Sequence, residues 1–132
     1  MNWQTVESEI TALSQKITDK PDSIIGITRG GVIPARLLSS KLNVKKMHCI
    51  SVVKNGDARS VVTEITEDLN GKKILLVEDI LETGRSLIVA KQYLKEKGAI
   101  VRTACLYIMP KTEVTPDYFL KTVDSIEGFP WE

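Results

Sequence analysis

Two adjacent carboxylates, Glu78 and Asp79, stand shortly before the turn Glu82-Thr83-Gly84-Arg85-Ser86, and together they outline a ligand. Carboxylates accept hydrogen bonds from sugar hydroxyls and hold Mg2+ through its water shell. Backbone N–H groups at the start of a helix, with two hydroxyl side chains and an arginine beside them, suit a phosphate monoester. A sugar phosphate with free hydroxyls satisfies both halves. An acidic turn that only caps a helix uses the same residue types, because Asp and Thr are ordinary capping residues. What favours the ligand is the order of the whole run: an apolar strand, an acid pair, then Thr-Gly-x-Ser opening a helix.

The elements that must position these groups lie on either side. Lys73-Ile-Leu-Leu-Val77 is an apolar run rich in branched residues and reads as a buried strand. Strand residues alternate between faces, but Glu78 and Asp79 come where the strand runs out. Both can then reach the crevice beyond the sheet's carboxyl edge, where open α/β sheets bind ligands. A second strand-to-helix turn lies upstream. Ile24–Thr28 reads as a strand, Arg29-Gly30-Gly31 as the turn, and a helix starts near Val32 with Pro34 in its first turn. The two glycines let backbone approach an anion, and Arg29 offers a forked donor to phosphate oxygens. Alone, Arg-Gly-Gly is an ordinary turn; ahead of the acid pair it becomes a second anion loop.

The stretch Val77-Glu-Asp-Ile-Leu-Glu-Thr-Gly-Arg-Ser86 resembles the phosphoribosyl-pyrophosphate-binding motif of type I phosphoribosyltransferases, and Arg29-Gly30-Gly31 resembles that family's pyrophosphate loop. The resemblance spans nearly the entire chain. It implies an α/β fold, a mostly parallel twisted sheet with helices on both faces, as a single domain over residues 1–132 with a minimal C-terminal hood. It also implies Mg2+-dependent transfer of a 5-phosphoribosyl group to a nucleobase. Arg29, Gly30 and Gly31 would hold the leaving pyrophosphate, and Glu78 and Asp79 the ribose hydroxyls and the metal. Thr83, Gly84, Arg85 and Ser86 would hold the 5-phosphate, with Glu82 handling the base's proton. Met109-Pro110-Lys111, Asp117-Tyr118 and Phe129-Pro-Trp-Glu132 narrow the resemblance to the small bacterial and archaeal 6-oxopurine enzymes of purine salvage. Lys111 would then donate to the purine O6, favouring hypoxanthine, guanine or xanthine, and a homo-oligomer, dimer or tetramer, is implied.

Three positions depart from the family pattern. Glu82 stands where these enzymes commonly have Asp, which keeps a carboxylate on a longer arm. Ser86 replaces the final Thr and retains the hydroxyl. Ile126, followed by Glu127 and Gly128, stands where the relatives stack an aromatic on the base, so one ring face would be covered by an aliphatic side chain.

The remaining chain sets bounds. With 132 residues and a net charge of +1, one domain can bury a core, and the balance gives no whole-chain footprint for nucleic acid. Cys49 and Cys105 sit in apolar runs and read as buried free thiols of a reducing compartment. The chain opens on a polar amphipathic segment rather than a leader or membrane span, so a cytoplasmic protein is expected. Trp3, Val6, Ile10, Leu13 and Ile17 predict a helix with its face on the core. Lys46–Val53 predicts a strand, Lys54–Ser60 a turn and Val61–Ile65 a short β segment: either a plain surface hairpin or an arm in the interval where the family carries a mobile loop. Arg85–Lys97 predicts a helix presenting Ile88, Ala90, Lys91 and Leu94 and stopping at Gly98, followed by a strand over Ile100–Met109. Five of the seven aromatics fall in the last quarter, which suits base stacking or a tail pinned to the core. Two rivals share these features. One is a regulator of the same fold that senses phosphoribosyl pyrophosphate or a nucleotide. The other is a phospho-receiver domain, for which too little chain follows Asp79.

Overall fold

The computed structural model describes residues 1–132. In chain order the elements are α1 (Trp3–Lys16), β1 (Ser23–Ile27), α2 (Val32–Leu42), β2 (Met47–Ile50), β3 (Val52–Asn55), β4 (Ala58–Val61) and β5 (Lys73–Val77), then β6 (Ile80–Leu81), α3 (Arg85–Glu96), β7 (Ile100–Ala104), β8 (Tyr107–Ile108) and β9 (Lys121–Thr122). Four strands form a parallel sheet in the order β2-β1-β5-β7. The pleat sends Ile25, Ile27, Ile74 and Leu76 to one face, against Leu87, Ala90 and Leu94 of α3. It sends Ile24, Leu75 and Val77 to the other, against Val6, Ile10 and Leu13 of α1 and Ala35 and Leu38 of α2. Both faces are covered, which is why β1 and β5 read as unbroken apolar runs rather than alternating ones. The expected α/β architecture is the one observed.

The topology fixes where a ligand can enter. From β1 the chain crosses through α2 to β2 on one side, and β5 later adds on the other side of β1. The carboxyl ends of β1 and β5 therefore flank the switch point of the sheet, and the Arg-Gly-Gly turn and the acid pair both follow those ends. A hairpin of β3 and β4 and a small sheet β6-β8-β9 complete the fold. No helix is long and apolar enough to cross a membrane.

Several local expectations change, and the two strand breaks among them arise because a distant partner takes over a backbone N–H. The strand expected over 46–53 breaks at Ser51, whose N–H donates to Thr63 Oγ1 at 2.8 Å and whose hydroxyl meets Thr28 Oγ1 at 2.8 Å. The arm is a hairpin turning at Gly56 and Asp57, with Gly56 at φ 63°, and residues 62–65 are not strand. The strand expected over 100–109 splits at Cys105 and Leu106, because Cys105 N donates to Tyr118 O and Leu106 N to Asp79 O. Cys49 is exposed, not buried, because β2 is the edge of the sheet. In α3 the buried stripe is Leu87, Ala90 and Leu94, leaving Ile88 41% exposed. Trp3 is 54% exposed and stays out of the core, its ring centroid lying 6.0 Å from that of Trp131.

Candidate active site

The carboxyl ends of β1 and β5 open onto a cleft of about 780 Å3. Thr28, Arg29 and Gly30 line it from the turn after β1, residues 78–87 from the segment joining β5 to α3, Arg59 from β4, and Trp131 and Glu132 from the tail. Three arginines and four carboxylates thus face one space.

Asp79 is the centre of the arrangement and is 8% exposed. Its Oδ1 accepts the Ile80 N–H at 2.7 Å, and its Oδ2 accepts the Trp131 indole N–H at 3.1 Å. Gly30 lies flat against this carboxyl group, and a methyl added at residue 30 would overlap all three of its heavy atoms. Gly31 serves a different purpose. It is buried, does not line the cleft, and a methyl there would run into the Val77 carbonyl of β5. One glycine makes room for the carboxylate and the other for backbone, whereas the sequence assigned both to an anion. The peptide between Thr28 and Arg29 is cis.

Glu78 is partly buried, and its Oε1 accepts the Asp79 N–H at 3.3 Å. Burial, and then the neighbouring Asp79 charge, push its carboxyl well above the usual carboxylate range. Burial also raises Asp79, with the Trp131 and Ile80 hydrogen bonds opposing that rise. The sign for stability follows by linkage. A carboxyl whose folded pKa is raised binds more protons in the folded than in the unfolded state between the two pKa values, so stability falls as pH rises through that window. Glu78→Gln removes the ionisation and is expected to stabilise the metal-free chain near neutrality by ~1 kcal/mol, read as roughly 3–5 °C in Tm, and to flatten the fall from acid to neutral pH. Calorimetry across pH checks this; a lower Tm for the variant at neutral pH would show that Glu78 is held by favourable contacts instead.

At the other end of the cleft, Gly84 takes φ 79° and α3 begins at Arg85. Its first-turn N–H groups lack intrahelical partners and carry the positive end of the helix dipole. Thr83 Oγ1 accepts the Arg85 N–H at 3.3 Å, and Ser86 lines the cleft beside it. The Arg85 guanidinium donates through Nε to Glu113 at 2.7 Å and through Nη1 to Asp57, at the hairpin tip, at 3.4 Å. Glu82 is exposed at the cleft wall. Lys111 is exposed and Ile126 packs half-buried against the core on the α1 side, so neither forms part of the cleft lining. Lys111 nevertheless belongs to the loop whose Glu113 N–H donates to Thr83 O at 2.8 Å, which fastens that loop to the turn before α3. A molecule with a phosphate at the start of α3, hydroxyls at the acid pair and a second anionic group near Arg29 and Arg59 would fill the space.

The phosphoribosyl transferase domain model matches residues 2–132. The chain belongs to the phosphoribosyl transferase family. It is 28% identical over 137 residues to the xanthine-guanine phosphoribosyltransferase of Chromohalobacter salexigens, covering 100% of this chain and 82% of that protein. The crystal structure of a purine phosphoribosyltransferase from Pyrococcus horikoshii superposes with a TM-score of 0.89 at 37% identity, over 100% of this chain and 91% of that one. A hypothetical protein from Neisseria gonorrhoeae with bound ppGpp superposes with a TM-score of 0.83 at 25% identity, over 100% and 87% of the two chains. The motif resemblance is thereby shown, the receiver reading falls, and the protein is a phosphoribosyltransferase by family.

For a phosphoribosyltransferase the metal question has a chemical answer. No three His, Cys, Asp or Glu side chains converge to cage an ion. Mg2+ is commonly held by one or two carboxylates together with substrate phosphates and water, and the adjacent Glu78 and Asp79 would supply that share. Burial raises both carboxyls above their ordinary values, and a bound cation would offset the cost of keeping them ionised there. Sequence reasoning assigned no site role to Arg59, Trp131 or Glu132 of this phosphoribosyltransferase. Arg59 was legible only as a cation in an arm beside the motifs, and Trp131 as an aromatic whose N–H would need a partner once partly buried.

Proposed function

We propose that the chain transfers the 5-phosphoribosyl group of phosphoribosyl pyrophosphate to a ring nitrogen of a 6-oxopurine, giving a nucleoside 5'-monophosphate and pyrophosphate, with Mg2+ required. The observation that carries this reading is the meeting of both anion turns on Asp79: Gly30 lies against its carboxyl, and residues 78–87 run from the acid pair to the start of α3 along one cleft. The bond from the anomeric carbon to the pyrophosphate oxygen breaks as the bond to the purine nitrogen forms. Arg29, with Gly30 and Gly31 shaping its turn, takes the departing pyrophosphate, and Glu78 and Asp79 accept the ribose hydroxyls. Thr83 to Ser86 fix the 5-phosphate, and Glu82 receives the purine's proton. The acid pair would hold Mg2+, which when bound would supply charge neutralisation at the leaving group. Most of the rate gain in such a site comes from positioning and preorganised charge. The likeness to the 6-oxopurine enzymes assigns Lys111 the purine O6 and Ile126 one face of the base, a base site that would lie beside the cleft rather than within its lining.

Pyrophosphate release tests this, with hypoxanthine, guanine, xanthine, adenine, uracil and orotate offered separately. Turnover is expected with a 6-oxopurine. Arg29→Ala is expected to raise the KM for phosphoribosyl pyrophosphate by about 10–100-fold, the cost of losing a charged hydrogen bond to phosphate, with thermal stability unchanged because Arg29 is exposed. An unaltered donor KM would remove Arg29 from the pyrophosphate site.

A regulator of the same fold is the second reading, favoured by the Neisseria structure, which has ppGpp bound. Its outcome is binding of phosphoribosyl pyrophosphate or a guanine nucleotide with no turnover on any of the six bases. A single domain over residues 1–132, a role in purine salvage, a cytoplasmic setting suited to the unpaired Cys49 and Cys105, and assembly into a dimer or tetramer belong to the first reading. Sedimentation tests the last of these.

A further inference from the structure

Trp131 has no part in the reaction as described, yet through it the tail reaches the acid pair. Its Nε1–H donates to Asp79 Oδ2 at 3.1 Å. The indole is not free to turn. It stacks on Phe129 with centroids 4.6 Å apart and planes 9° apart, and Phe129, only 3% exposed, stacks on Tyr107 at 6.1 Å and 7°. Tyr107 is itself held by its hydroxyl, which donates to Glu9 of α1 at 3.0 Å. A donor mounted on a run of packed rings has a fixed direction.

That direction matters because a carboxylate rotates easily about its terminal bond, where the torsional wells are broad. The Ile80 N–H holds Oδ1 alone, so one contact leaves the plane of the group free to tilt. The indole N–H holds the other oxygen and fixes the plane, while Gly30 closes one side. Each oxygen keeps a further lone pair for a ligand hydroxyl. We propose that Trp131 is a positioning residue: its N–H sets the plane of the Asp79 carboxylate in which sugar hydroxyls are accepted, so docking of the C-terminal tail governs affinity for the phosphoribosyl donor. This rests on the reading of Asp79 as a sugar-binding carboxylate.

Trp131→Phe keeps an aromatic ring for the stack and removes the donor. Calorimetric titration of phosphoribosyl pyrophosphate with Mg2+ into the wild type, Trp131→Phe, Asp79→Ala and the double variant reads the effect directly. Trp131→Phe is expected to weaken donor binding about tenfold, the usual scale for a hydrogen bond to a charged group, while the purine KM stays within about twofold. In the Asp79→Ala background the same substitution should change donor affinity by less than about twofold, because nothing is left to orient. Donor affinity unchanged by Trp131→Phe, an equal loss in both backgrounds, or a rise confined to the purine KM each overturns the proposal. Phe129→Leu, which loosens the stack but keeps the indole N–H, should weaken the donor in the same direction and carries the test if Trp131→Phe lowers Tm severely; unchanged donor affinity there also overturns it. Donor binding without turnover on any base would sink the catalytic reading and leave the cycle to decide the role of Trp131. A wild-type chain that binds no donor sinks both.

Discussion

Asp79→Asn is expected to lower kcat by about 10²–10³-fold, the loss typical when one preorganised electrostatic group is removed from a reacting centre. The reason is specific to this carboxylate. Both of its oxygens already accept an N–H, from Ile80 and from Trp131, and each offers its second lone pair to the ligand. An asparagine amide has one oxygen, so one of those two N–H groups must face an NH2, and the capacity to accept sugar hydroxyls is halved. Mispairing a buried donor costs about 1–3 kcal/mol. Removal of a charge that burial disfavours works in the opposite direction, so Tm should move little while turnover collapses. Pyrophosphate release and calorimetry on the same preparation separate the two quantities. Wild-type kcat in the variant would take Asp79 out of the reaction.

Gly30→Ala is the second large effect, and it follows from steric room rather than charge. The added methyl falls on the Asp79 carboxyl, which must tilt or withdraw from the position set by Ile80 and Trp131. Displacement of a positioned group by about 1 Å can cost roughly 10²-fold in rate, and forcing an atom into a filled space costs about 1–3 kcal/mol in stability. A folded protein with kcat down about 10²-fold is the expected result. Gly31→Ala should fail differently, because its methyl meets the Val77 carbonyl of a central strand that cannot yield. That variant is expected to lose folded protein before it loses chemistry. In an Asp79→Ala background the stability cost of Gly30→Ala should largely disappear, since the overlapping atoms are gone. Full activity in Gly30→Ala would show that the turn after β1 gives way instead of the carboxylate.

Other parts of the site behave as their neighbours dictate rather than as their residue type alone would. Arg85 follows Thr83-Gly84, where its position suits a phosphate ligand, yet its guanidinium is engaged by Glu113 and Asp57. These pairs are solvent-accessible and individually weak, so a phosphate dianion bound at the start of α3 would compete for the same fork on favourable terms.

What the amino-acid order determined by itself is everything that depends on covalent neighbours and on periodicity. The acid pair at the end of an apolar strand, the Arg-Gly-Gly turn before α2, the start of α3 after Thr83-Gly84 and its stop at Gly98 are local. Each is set by strand alternation, helix geometry or the conformational reach of one residue, and each was placed to within a residue or two. Only the tertiary structure decided which strand became an edge, and hence that Cys49 is exposed. It broke two strands at Ser51 and at Cys105 and Leu106, where side chains or carbonyls far along the chain claimed backbone N–H groups. It divided the labour of Gly30 and Gly31, left Lys111 and Ile126 outside the cleft lining, and brought Arg59 and Trp131 into it. The contact between Trp131 and Asp79 spans 52 residues. No local pattern encodes such a pair, because its partners meet only after the sheet has formed and the aromatic tail has packed across its end.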